Sequence, residues 1–210
     1  MEIDQLGWNV VTLGFLGTMF FSVLGAWGLW KQNFAIWGKK SGKSVSISYF
    51  SFYFTYFASG FIYGLDKKSL ALILHCGGRM LFHIPILIGL WKFKKFTRNE
   101  KVFSILFFVG ILLTILLPIK DSSFLIYSVG SILAYIAQPV EIFKNKDSGT
   151  VEAKLHLIYL GSSIFWTIYG FATNDLVLKL TVPPNIIIAL VTIAFCYKYK
   201  TPNTQTRFLP

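Results

Sequence analysis

QPVEIFKNKDSGTV, residues 138–151, lies without gaps over QNFAIWGKKSGKSV, residues 32–45, at a shift of 106. Four positions coincide: Gln32 with Gln138, Ile36 with Ile142, Lys40 with Lys146 and Val45 with Val151. By identity alone this repeat is weak. The same shift sets Tyr63-Gly64 over Tyr169-Gly170, and each copy reaches across three apolar segments. Seven such segments separate along the chain, at about residues 8–30, 46–65, 69–91, 102–118, 124–143, 155–173 and 176–197. Each comes near the roughly 20 apolar residues that a spanning helix needs. Segments one to three and five to seven carry the same order of features, with the fourth as a linker. Because the linker adds one span, both copies enter the membrane in the same orientation, as parallel repeats related by an axis along the membrane normal.

Composition agrees with this reading. The chain has 210 residues, 54% hydrophobic and 18% aromatic, with only 14% charged, whereas soluble domains run near a quarter charged. A soluble globular enzyme, a disordered chain and a disulfide scaffold are all excluded, and no length is left for a separate soluble domain. The expected fold is an all-α membrane protein of seven transmembrane helices in a 3+1+3 arrangement. Residues 1–91 would form the first triple-helix bundle, 92–122 the linker loops and linker helix, 123–200 the second bundle and 201–210 a cytoplasmic tail. Acidic Glu2 and Asp4 precede the first segment, without the basic flank and cleavage site of a signal peptide, so that segment should remain in the mature protein. Cys76 and Cys196 both lie in apolar stretches, far apart and without a CxxC partner; they read as small buried hydrophobes, and no metal or other cofactor is expected.

Net charge is +11, and the basic residues fall in blocks. One side of the expected membrane collects Lys31, Lys39, Lys40, Lys43, Lys92, Lys94, Lys95, Arg98, Lys101, Lys144, Lys146, Lys154, Lys198, Lys200 and Arg207; the other has Lys67, Lys68 and Lys120. Basic loops stay in the cytoplasm, which puts the N-terminus outside and the C-terminus inside. The blocks are topology signals, so nucleic acid is rejected as a partner. The expected partners are the lipid bilayer and a small-molecule solute, with a second copy of the chain left open.

Taken together, several motifs resemble a known family. Gln138-Pro139, followed by Lys144-Asn145-Lys146-Asp147-Ser148-Gly149-Thr150-Val151, is similar to the PQ-loop motif. Trp166-Thr167-Ile168-Tyr169-Gly170, Asp175 and Pro184-Asn185 resemble the second half of the SWEET (MtN3/saliva) sugar transporters of the PQ-loop superfamily. That resemblance implies a transporter, not an enzyme, with Trp166 and Asn185 lining a central sugar site and Gln138, Pro139 and Gln32 in hinge or gating positions. The first half departs from the pattern: Gln32-Asn33 stands where a proline is expected, Gly60 at the counterpart of Trp166 and Arg79 at the counterpart of Asn185. Pro183 also doubles Pro184.

The chemistry of these residues fits a solute site. An aromatic ring stacks on a sugar's apolar face, and an amide both donates to and accepts from hydroxyls; the plainer reading is an interfacial Trp and an interhelical Asn. Arg79 near the centre of a span costs about 2.5–3.5 kcal/mol on insertion scales, so it needs water or a partner. His75, Arg79 and His83 recur every four residues and form one polar stripe. Such a stripe could bind a carboxylate or phosphate and couple protons through its histidines. Alternatively, Arg79 pairs with a carboxylate such as Glu141 while the histidines bond backbone carbonyls. The leading expectation is a facilitator moving a sugar by alternating access, with Trp166, Asn185, Arg79 and His75 at the site. A proton-coupled carrier of an amino acid or organic anion, and a non-transporting membrane receptor, stand as alternatives. An intramembrane enzyme is the weakest reading, since no HExxH pair or nucleophile elbow occurs.

Overall fold

Short polar side chains start most of the helices. Asn9, Ser46, Ser69, Thr97 and Asp175 are N-caps whose side chains accept the N–H groups of Thr12, Tyr49, Leu72, Glu100 and Leu178, satisfying donors that a helix's first turn leaves orphaned. The computed structural model describes residues 5, 7–42, 45–146, 148 and 153–199, with only the backbone of residues 137, 141, 145, 154 and 155. Lys43, Lys200 and Arg207, the side chain of Lys154, the suggested partner Glu141, the motif residues Asp147 and Gly149 to Val151 and the tail 201–210 lie outside that description. Among the described residues all regular structure is helical: α1 (Val10–Lys39), α2 (Ile47–Asp66), α3 (Leu70–Phe93), α4 (Arg98–Leu116), α5 (Lys120–Asn145), α6 (Ala153–Ala172), α7 (Leu176–Thr181) and α8 (Pro183–Lys198).

Among the described residues five stretches are long and apolar enough to cross a membrane: α1, α3, α4, Lys120–Lys144 of α5, and Leu176–Lys198, which joins α7 to α8. Of the other two expected segments, α2 has spanning length but is diluted by Tyr49, Tyr53, Tyr56, Tyr63 and its serines, while α6 has spanning length and begins at residues whose side chains lie partly outside the description. The last segment is one span in two helices. Pro183 and Pro184 open α8 and bring no N–H to bond the preceding turn, so the chain turns through Asn185 N to Val182 O at 2.9 Å. Pro183 therefore marks a helix start. α1 runs nine residues past its expected end, to Lys39; at about 1.5 Å per residue it outreaches the hydrocarbon core, so Lys31 and Lys39 emerge on its last turns.

The 106-residue repeat reappears in the backbone. Lys40 and Lys146 are both left-handed C-caps, with φ 46 and 51, and Lys68 and Asn174 both have positive φ, 54 and 56. Around the second pair, Ser69 N bonds Gly64 O at 2.8 Å and Asp175 N bonds Gly170 O at 2.9 Å. A Cβ at Gly64 would meet Leu72 and one at Gly170 would meet Leu178, so each glycine admits the same close approach of the next helix.

Packing follows a repeated order as well. α3 lies against both α1 and α2, and α8 lies against both α5 and α6. Across the halves α1 packs on α6 and α2 on α5, while α4 rests against α2. Only Ile111 and Thr114 of α4 are buried, and Phe103, Leu106, Val109 and Leu116 are exposed, as expected of a helix with lipid around most of its surface. The close α1–α6 contact depends on Gly14, where a Cβ would meet the Tyr169 backbone at 2.9 Å, and on Gly17 and Gly161, which receive Phe165 and Phe21.

Candidate functional site

Among the described residues, buried apolar side chains form two clusters of different composition. One unites both halves: Phe57, Tyr63, Ala71, Leu72, Cys76, Phe124, Trp166, Tyr169, Val177 and Leu178. It ends at the α2–α3 and α6–α7 turns, on the side poor in lysine. The other, Ile36, Ile47, Phe50, Ile86 and Leu90, belongs to α1, α2 and α3 alone and lies toward the lysine-rich ends.

Two hydrogen bonds close the first cluster, and the repeat relates them. The Tyr63 hydroxyl donates to Asp175 Oδ2 at 2.9 Å, while Tyr169 and Ser69 join hydroxyls at 2.8 Å. Each tyrosine thus reaches the N-cap residue of the opposite half. Outside this crossed pair, Lys67 bonds Asp121 at 2.9 Å and Lys120 bonds Asp66 at 3.1 Å, tying α2 to α5. The Asp121 carboxylate holds the Lys67 ammonium above its usual pKa. A polar cavity of about 460 Å³ lies over the seal, lined by Tyr63, Lys67, Asp121, Tyr169, Asn174 and Asp175 among others. Lys179 Nζ donates to Asn174 Oδ1 at its rim. A larger groove of about 730 Å³ between the start of α1 and α6 is open and mostly apolar, and none of the expected site residues lines it.

Below the seal, the structure brings His75 and Trp166 together from opposite halves, with ring centroids 4.9 Å apart and planes at 72°. His75 Nδ1 lies 2.5 Å from Ser22 Oγ, and Ser22 also reaches Thr18 O at 2.6 Å. The one Ser22 proton goes to the carbonyl, so His75 carries its proton on Nδ1 and presents Nε2 as an acceptor. Arg79, one turn on, lies over the Phe57 ring at 5.4 Å, and its guanidinium enters space left by Gly25 of α1. His83 donates from Nδ1 to the Arg79 carbonyl at 2.8 Å, so of the two histidines this one serves its own helix. All three residues of the stripe touch Phe57.

Arg79 Nε and Asn185 Oδ1 are buried without a hydrogen-bond partner. Such atoms are uncommon in folded proteins and ask for an explanation. Here they occupy the two positions that the 106-residue shift superimposes.

The expected gating residues lie toward the other end. Gln32 sits on α1 beside Asn33, which donates to Phe82 O at 3.1 Å, and Trp37 donates to Pro85 O at 3.0 Å. These bonds brace α1 against the proline-bearing turn of α3, where Pro85 removes a helical N–H. Gln138 and Pro139 lie within α5, which continues through them to Asn145.

Comparison with known proteins accords with this architecture. Residues 121–204 match the MtN3/saliva family, described as sugar efflux transporters for intercellular exchange. The resemblance to the SWEET and PQ-loop superfamily is therefore supported, and with it a multi-pass membrane transporter. No curated protein matches the chain. The MtN3/saliva match covers Trp166, Asn185, Pro139 and Asp175, whereas His75, Arg79 and Tyr63 lie before it. Sequence reasoning had not assigned Tyr63, Ser69, Tyr169 or Asp175 to the site. Their signal was the 106-residue shift, which aligns the two tyrosines and the two N-caps.

Proposed function

We propose that the protein carries a small hydroxylated solute of the sugar class across its membrane by alternating access between two three-helix bundles, α1–α3 and α5–α8, linked by α4. The observation that carries this reading is the contact of His75 with Trp166 beneath the crossed Tyr63–Asp175 and Tyr169–Ser69 bonds. Aromatic and polar groups from both halves thus meet near mid-span, beside an apolar core that both halves share.

The lysine distribution makes the sealed side the outer face and places the N-terminus outside. Trp166 would stack on the solute and Asn185 would bond its hydroxyls, while Pro139 would allow α5 to bend as the bundles rock. Counterflow into proteoliposomes tests this reading, with labelled glucose, sucrose, glucuronate and lysine presented singly. Uptake of a sugar-class solute that falls at least tenfold in Trp166→Ala is the expected result. A protein that binds solute in detergent but moves none across the bilayer would be a receptor, and the transport reading would be wrong.

A further inference from the structure

We infer that the solute is an anionic member of the sugar class, a sugar acid, and that Arg79 binds its carboxylate. This inference rests on the transport reading, and its basis is the mismatch between two positions that the repeat makes equivalent. The second half presents a neutral amide, Asn185, and the first half presents a guanidinium, Arg79. Both retain a buried, unpartnered polar atom, an acceptor on Asn185 and a donor on Arg79.

The guanidinium has been given room. A side chain at Gly25 would occupy the place of its Nη2 and Cζ, so the position of the guanidinium against α1 depends on glycine there. The Phe57 ring lies under the cation, 5.4 Å from it. No carboxylate among the described side chains pairs with it. Asp66 and Asp121 bond lysines, Glu100 caps α4 and Asp175 caps α7, all at helix ends. A buried cation that no described carboxylate pairs with is costly in a membrane.

A neutral sugar leaves that charge uncompensated. A carboxylate offers the planar pair of acceptors that a guanidinium fork matches. A zwitterionic amino acid would need an acidic group for its ammonium, and the described side chains place none beside Arg79. The polyol end of a sugar acid, by contrast, meets what the other half provides, a Trp face and an unpaired amide oxygen.

The test uses the full chain, with glucuronate and glucose as probes. Equilibrium binding in detergent is read by calorimetry and flux by counterflow in proteoliposomes. The expected result is glucuronate binding at least tenfold tighter than glucose, and glucuronate flux that responds to membrane potential. In Arg79→Asn, which makes the two halves alike, glucuronate binding should fall at least tenfold and the preference should turn toward glucose. Arg79→Lys should keep the anion preference with weaker binding and guards against a folding defect in the first variant. Glucose preferred by the wild type, or an unchanged preference in Arg79→Asn, overturns the inference and leaves transport standing. Glucuronate bound through Arg79 but not moved overturns the transport reading and retains the anion site.

Discussion

Asp175 serves two helices at once: Oδ1 accepts the Leu178 N–H at 3.0 Å as the cap of α7, and Oδ2 accepts the Tyr63 hydroxyl at 2.9 Å from the other half of the chain. The same carboxylate therefore fixes the start of α7 and ties the two halves together at the lysine-poor end. Hydrogen bonds to charged groups contribute about 1.5–3 kcal/mol. Tyr63→Phe removes the bond between halves and spares the cap. The outer-closed state should lose about that much, which is tenfold or more in the closed–open equilibrium. Cys76, buried in the shared cluster, is a native reporter. In a Cys196→Ala background, an impermeant maleimide added from outside should label it at least tenfold faster in Tyr63→Phe. Unchanged labelling would show that the bond does not gate the outer side.

The related bond, Ser69 with Tyr169, is not equivalent in its cost of removal. Ser69 also caps α3 by accepting the Leu72 N–H at 3.3 Å, whereas the Tyr169 hydroxyl leaves no helix end bare. Cap loss costs about 1 kcal/mol. Ser69→Ala should thus lower the thermal midpoint in detergent by a few degrees more than Tyr169→Phe. Equal midpoints would argue against the capping role.

Two glycines of α1 should respond in opposite ways to the same methyl group. At Gly14 the added Cβ meets the Tyr169 backbone at 2.9 Å; backbone cannot move aside, so Gly14→Ala should force α1 from α6 at a cost of about 1–3 kcal/mol. At Gly25 it meets the mobile end of Arg79, so Gly25→Ala should fold nearly as well as the wild type and displace the guanidinium. Thermal midpoints would separate the two, and glucuronate binding should weaken in Gly25→Ala despite its intact fold.

Acid should loosen the start of α4. Hydrogen bonds from the Thr97 backbone and hydroxyl, both to Glu100 Oε2, hold the Glu100 carboxyl below the usual carboxylate range. Its folded-state pKa is lowered, so its stabilisation is present above the unfolded value and is lost as pH falls through the folded one. Hydrogen exchange at the Glu100 and Lys101 amides should accelerate relative to its intrinsic rate as pH falls through that lowered folded-state value. Glu100→Gln should abolish that step; a step that survives in the variant would assign it to another group.

Much of this protein was legible without coordinates because membrane insertion is governed by local properties. A run of apolar residues, a capping serine or aspartate and a block of lysines each act within a few turns of chain. The apolar segments and the basic asymmetry could therefore be read directly. The repeat also survived as a spacing of 106, since Lys40 with Lys146 and Lys68 with Asn174 keep the same backbone turn under different side chains. Arg79 stood out for the same local reason, a charge in an apolar run.

What the tertiary structure alone decided is which groups meet across the repeat. Tyr63 is 112 residues from Asp175 and Ser69 is 100 from Tyr169, and no periodicity encodes that exchange of partners. It arises because α2 faces α5 and α1 faces α6, which brings each α2 or α6 C-terminus beside the opposite N-cap. The meeting of His75 with Trp166, the space that Gly25 leaves for Arg79 and the paired orphan atoms of Arg79 and Asn185 depend on the same packing. Helix formation is a local balance of propensity and hydration, whereas these contacts depend on how the helices are arranged around one another.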